Sequence, residues 1–205
     1  MSEIEKLRRI TPWPEQKPDI PFNDGGWFPK CNRQLLSKLL SDKTSLVVEL
    51  GSWIGLSTRW ILDTAPNAKV IAIDHWLGGK ENAKDPLLPV LHDTFISNCW
   101  SYKDRLVMLK MDTLKGMRLL LDNNVRPNVI YVDAGHDYES ANADLKLATL
   151  FDCPIVGDDF NPNAWPGVVR AVWERATDAE RNLYVMASGW YMPRKGEDYP
   201  CPSSP

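Results

Sequence analysis

Apolar and polar positions alternate along this chain in blocks. Leu35, Leu36, Leu39 and Leu40 recur at helical spacing. SLVVEL (45–50) is a short, continuous apolar run, the mark of a strand buried on both faces of a parallel sheet. GSWIGLSTRWILDTA follows as a turn and a helix. Four more apolar runs predict strands: KVIAIDHW (69–76), RLVMLKM (105–111), PNVIYVDAG (127–135) and CPIVGDDF (153–160). Between them lie helical segments over 90–101, TLKGMRLLLDN, YESANADLKLATLF (138–151) and GVVRAVWERATD (167–178). NLYVMAS and WYMPR flank Gly189 and predict a hairpin. Strands separated by helices over more than 100 residues argue for right-handed βαβ units. The expected fold is α/β: a single-domain, doubly wound, mostly parallel sheet that ends in an antiparallel hairpin.

The ends of the chain differ from this pattern. Pro12, Pro14, Pro18, Pro21 and Pro29 forbid a long helix or central strand, so residues 1–30 are expected to form an irregular arm. Trp13, Trp27 and Phe28 are its candidate anchors. Residues 31–195 are expected to form the domain, and 196–205, ending in DYPCPSSP, a flexible tail.

Composition narrows the function classes. The net charge of −3 leaves no basic field for a phosphate backbone, so nucleic acid is not an expected partner. The N-terminus lacks the apolar core of a signal peptide, and no run is long enough to span a membrane. Cys31, Cys99, Cys153 and Cys201 are scattered, which suggests neither a zinc site nor a disulfide framework and is consistent with a cytoplasmic protein. A small molecule is the expected partner, and a homodimer stays open. The nine tryptophans fit either ordinary packing or an aromatic-lined pocket.

The candidate chemistry sits at strand ends. In VVELGSWIGLS, Gly51 follows the first strand and Gly55 opens the helix. Ligands of open α/β sheets bind at such a turn, beyond the carboxyl ends of the strands. The spacing is G-x-x-x-G, so the middle glycine of the dinucleotide fingerprint, which admits a pyrophosphate, is missing. An NAD-dependent oxidoreductase is therefore disfavoured, and S-adenosyl-L-methionine, which has no pyrophosphate, is preferred. Glu49, inside an apolar strand, needs partners: backbone N–H groups of the turn or the cationic end of a ligand. Asp74 could take ribose hydroxyls or bind its own turn. Asp112 could lie by an adenine or cap the next helix.

These motifs resemble those of the class I S-adenosylmethionine-dependent methyltransferases: VVELGSWIGLS, VIAIDHW and LKMDT, in order. VDAGHDYESANADL and VGDDF are similar to the branch of bacterial sugar and macrolide O-methyltransferases and cephalosporin-hydroxylase-like proteins. The resemblance covers roughly residues 33–190. It implies that Glu49, Gly51, Ser52, Gly55 and Ser57 surround the methionine part of the cofactor. It further implies that Asp74 binds the ribose and that Asp112 and Thr113 lie by the adenine. FDCP replaces the family's Gly-Gly before the fifth strand. DAGH is one residue longer than the family's pattern, which leaves open whether His136 or Asp137 points inward.

Asp133, Asp158 and Asp159 end two strands predicted to be neighbours. Converging carboxylates repel unless neutralised, and oxygen ligands suit Mg²⁺ or Ca²⁺. The three are the expected metal ligands, with Mg²⁺ as the candidate ion. Asp133 and His136 are the candidate catalytic groups, because a base can do the same work without a metal. The expected reaction is O-methylation of a small hydroxylated molecule. An inactive protein of the same fold is the alternative from another class.

Overall fold

The computed structural model describes residues 3–198. The expected tail at 196–205 lies outside the described residues from position 199 onward. One seven-stranded sheet runs in the order β3-β2-β1-β4-β5-β7-β6. Its parallel strands are β1 (Leu46–Leu50), β2 (Lys69–Asp74), β3 (Leu106–Lys110), β4 (Val129–Val132) and β5 (Ile155–Gly157). The hairpin β6 (Tyr184–Met186) and β7 (Gly189–Met192) joins antiparallel to β5, which gives the mixed sheet expected from the sequence.

The helices are α1 (Glu3–Arg8), α2 (Lys30–Ser37), α3 (Leu56–Thr64), α4 (Leu91–Cys99), α5 (Thr113–Asp122), α6 (Tyr138–Ala148) and α7 (Pro166–Asp178). They cover two cores, one on each face of the sheet. β1, β4 and β5 are buried along their whole length, as their unbroken apolar runs require. The predicted strands run one to three residues too long at most ends, where polar residues leave the ladder. The arm is not wholly irregular: it opens with α1, whose Leu7 enters the core.

Register sets the site. Leu50 pairs with Ile73 and Val132, and Val132 pairs with Gly157. The next residues of these strands, Gly51, Asp74, Asp133 and Asp158, therefore emerge together at the carboxyl edge. At Gly157 a Cβ would lie 2.1 Å from the Trp190 ring, so only glycine lets the indole cover this strand end. Trp190 also donates Nε1–H to the Asp158 carbonyl at 2.8 Å.

Candidate active site

The turn after β1 is held by two carboxylates. Glu49 is wholly buried and accepts hydroxyl hydrogens from Ser52 and Ser57, each at 2.6 Å, and from Thr58. Burial raises its pKa, and the three hydroxyls oppose that rise. The partners expected for Glu49 were backbone N–H groups or a ligand cation; the structure supplies side-chain hydroxyls instead. The hydroxyls of Ser52 and Ser57 are thereby turned inward, onto Glu49.

Asp74 binds the same turn from β2. It accepts the backbone N–H of Ser52 at 2.9 Å, Trp53 at 3.0 Å and Trp76 at 2.6 Å. A carboxylate offers about four lone-pair positions, so one remains for a ligand hydroxyl. Trp53 and Trp76 both have positive φ, at 47° and 53°, and Asp74 fixes these left-handed corners. Gly51, at φ 79°, abuts the acidic edge directly: a Cβ there would lie 1.8 Å from the Asp133 carbonyl oxygen. Gly55 serves packing, since its Cβ would collide with Cys99 Sγ on α4.

Asp112 caps α5, accepting N–H from Leu114 at 3.0 Å and Lys115 at 3.4 Å. Thr113 opens α5; burial pushes the pKa of Asp144 up to about 7, and Thr113 opposes that rise. His75 is exposed and accepts the Leu77 N–H at 2.9 Å, while His92 stacks on Trp76.

At the acidic edge the structure differs from the expected ligand set. Among the described residues, Asp133, His136 and Asp159 offer ligand atoms within 4.8 Å of one another. Asp158 stays close but faces inward. It is buried and accepts its neighbour's N–H at 2.8 Å. The chain reverses at Asp159, with φ 66°, so the two carboxylates part instead of converging.

His136, not Asp137, points inward. Its Nε2 lies 2.8 Å from Asp159 and its Nδ1 lies 3.0 Å from Glu81, and its ring stacks on Trp165 at 4.3 Å. Asp137 caps α6 through the Ser140 N–H. Burial opposes protonation of His136, but the bond and charge of Asp159, with Glu81 and Asp133, prevail and push its pKa up to about 9. Burial and the charges of Asp159 and Asp158 drive Asp133 well above the usual carboxylate range, partly opposed by the Tyr131 hydroxyl and by His136.

Beside these groups a cavity of ≈ 20 Å³ is lined by Asp133, Asp158, Asp159 and Trp190. It has room for a water-sized guest only. Sequence reasoning missed Glu81, Trp165, Tyr131 and Asn32. Only Asn32 carried a signal, as a polar residue on the apolar face that Cys31, Leu35 and Leu36 define.

Comparison with known proteins places this geometry. A family model described as a methyltransferase domain matches residues 48–159, from β1 through Asp159. The fold matches a TDP-rhamnose 3'-O-methyltransferase of calicheamicin biosynthesis, at TM-score 0.57 and 18% identity over 81% of this chain and 78% of that one. It matches an O-methyltransferase from Bacillus cereus, solved in complex with SAH (S-adenosylhomocysteine), at TM-score 0.59 and 16% identity over 94% and 89%. It also matches a fibrillarin pre-rRNA processing protein from Methanococcus jannaschii, at TM-score 0.51 and 14% identity over 76% and 68%, so the fold by itself does not select an acceptor. No curated protein matches the sequence significantly. With the sheet order, the glycine turn and the matched span in hand, the chain belongs to the family of class I S-adenosylmethionine-dependent methyltransferase domains.

Proposed function

We propose that the protein transfers the methyl group of S-adenosylmethionine to a hydroxyl of a small polar molecule, assisted by a divalent cation. One observation carries this reading: the glycine turn and the acidic edge are in backbone contact at Gly51 and Asp133. A donor bound at the turn would stand beside Asp133, His136 and Asp159.

Asp74 has one lone-pair position left for a ribose hydroxyl, and Gly51 leaves the turn without a side chain at its ligand end. Ser52 and Ser57 would act through Glu49, by shaping the turn. Asp112 and Thr113 lie at the start of α5, where the adenine would reach.

The carboxylates of Asp133 and Asp159 fit a hard divalent cation such as Mg²⁺ and would balance its charge, with His136, whose ring nitrogens face Asp159 and Glu81, standing beside them. Asp158, turned inward, would add charge rather than a ligand atom. When bound, such an ion lowers the pKa of a coordinated hydroxyl. Methyl transfer is an in-line displacement, so aligning the acceptor oxygen with the sulfonium methyl supplies much of the remaining barrier reduction. Trp165 and His136 would form the wall that orients the acceptor.

A metal-free reading also has a specific observation behind it. The raised pKa of Asp133 suits a general base, whereas His136 holds its own proton at neutral pH. Transfer of radiolabelled methyl from S-adenosylmethionine to a panel of sugars and diols tests both. Exhaustive EDTA treatment should abolish transfer and Mg²⁺ restore it, while SAH binding persists. Full activity after chelation would leave the Asp133 base mechanism; absence of SAH binding at millimolar concentration would overturn the whole reading.

A further inference from the structure

Behind the candidate cation site runs a buried chain of hydrogen bonds that begins on α2. Asn32 and Tyr131 are both wholly buried, at 0% exposure. Asn32 Nδ2 donates to the Tyr131 hydroxyl at 3.0 Å, and that hydroxyl donates to Asp133 Oδ2 at 3.0 Å.

Chemistry fixes the direction of this chain. The phenol gives its one hydrogen to Asp133 Oδ2, and a carboxylate ionised to hold a cation can only accept it. The lone pair of the phenol then needs a donor, which requires the amide nitrogen of Asn32 rather than its oxygen. The amide oxygen packs the other way, where a Cβ on Gly189 would come within 2.3 Å of it. One amide thus braces Asp133, the acid at the end of β4, through the phenol of Tyr131.

The consequence lies in which oxygen of Asp133 stays free. Oδ2 is engaged by the phenol, and Oδ1 is left for an ion or an acceptor. We propose that Asn32 and Tyr131 are positioning residues, which set the carboxylate of Asp133 to ligate the cation through a single oxygen. This rests on the cation reading above. Partners that orient ligating carboxylates shape affinity without touching the ion, and their loss typically costs 10–100-fold in metal affinity.

The test is Mn²⁺ binding to the full chain, followed by electron paramagnetic resonance, with SAH affinity measured in parallel by calorimetry. Tyr131→Phe should weaken Mn²⁺ binding about 10–100-fold while the SAH dissociation constant stays within about twofold. A merely structural loss would weaken both. Asn32→Leu alone should weaken Mn²⁺ binding in the same direction, but in the Tyr131→Phe background it should add little, because its path to Asp133 is already cut. Asp159→Asn, which removes a ligand charge, is the reference for lost binding. Wild-type Mn²⁺ affinity in Tyr131→Phe overturns the positioning role and leaves the cation reading standing. A wild-type chain that binds no Mn²⁺ overturns both. Should Tyr131→Phe fail to fold, Asn32→Leu decides by the same criterion.

Discussion

Replacing Asp74 with alanine separates two jobs that meet on one carboxylate. The side chain accepts three backbone N–H groups, at 2.9, 3.0 and 2.6 Å, and these fix the turns at Ser52–Trp53 and at Trp76. Hydrogen bonds to a charged group are worth about 1.5–3 kcal/mol each. Its side chain is 13% exposed, so water can replace part of this. About 1 kcal/mol per bond, or about 3 kcal/mol in all, is the resulting estimate. For a chain of this size that corresponds to a fall in Tm of about 6–12 °C, measured by calorimetry at pH 7. Two left-handed tryptophan corners would relax with it. The ribose contact proposed for the remaining lone pair should add a loss of SAH affinity of about 1–3 kcal/mol, or about 5–150-fold. Asp137→Ala is the control: it removes an exposed helix cap, that of α6, worth about 0.5–2 kcal/mol. A Tm within 2 °C of wild type, given that estimate, would refute the argument from the three N–H groups. A lowered Tm with unchanged SAH affinity would refute the ribose contact and leave Asp74 as a brace of the turn.

Three further outcomes are expected. His136 has its pKa raised from 6.5 to about 9, so its contribution to stability is complete below about pH 6.5 and is lost as pH rises through 9. The stability advantage of wild type over His136→Gln should therefore shrink across that window in denaturant titrations, and a gap that widens would contradict the assigned contacts. Glu81 ties the 77–87 segment to His136, so Glu81→Ala should speed amide hydrogen exchange there, and SAH should slow it in wild type; exchange indifferent to both would show that neither the Glu81 contact nor the ligand orders this segment. Gly51→Ala places a Cβ 1.8 Å from the Asp133 carbonyl at positive φ, so it should lower Tm and abolish SAH binding together, and a variant with wild-type values of both would refute the backbone contact.

Much of the fold was legible because its signal is local. A strand buried on both faces must be continuously apolar, and β1, β2, β3 and β4 each announce themselves this way. A carboxylate directly after such a run, as in AID, YVD and VGDD, must emerge at the carboxyl edge, which is why Asp74, Asp133 and Asp158 were placed there in advance. Side-chain direction was not legible. Asp158 and Asp159 part because the backbone turns left-handed between strand and loop, a fact of φ and not of composition. Glu81 lies 55 residues from His136, and Asn32 lies 99 from Tyr131, so no periodicity connects them. Glu49 was read correctly as needing partners, yet the partners are hydroxyls three, eight and nine residues on rather than backbone amides.

The arm has a consequence of another kind. β3 is an outer strand of the sheet, where backbone groups left uncovered would pair with a foreign strand. The arm occupies that flank without becoming a strand itself. Trp13 donates its indole hydrogen to the Leu106 carbonyl at 3.1 Å, Thr11 accepts the Lys110 N–H at 3.1 Å, and Arg8 binds the carbonyls of Lys103 and Asp104. The guard is thus synthesised first, and the flank it protects leaves the ribosome more than ninety residues later. The arm is therefore already available when β3 emerges, so the flank is covered from the start. Trimming the arm would leave that flank open and give the protein a lasting tendency to self-associate.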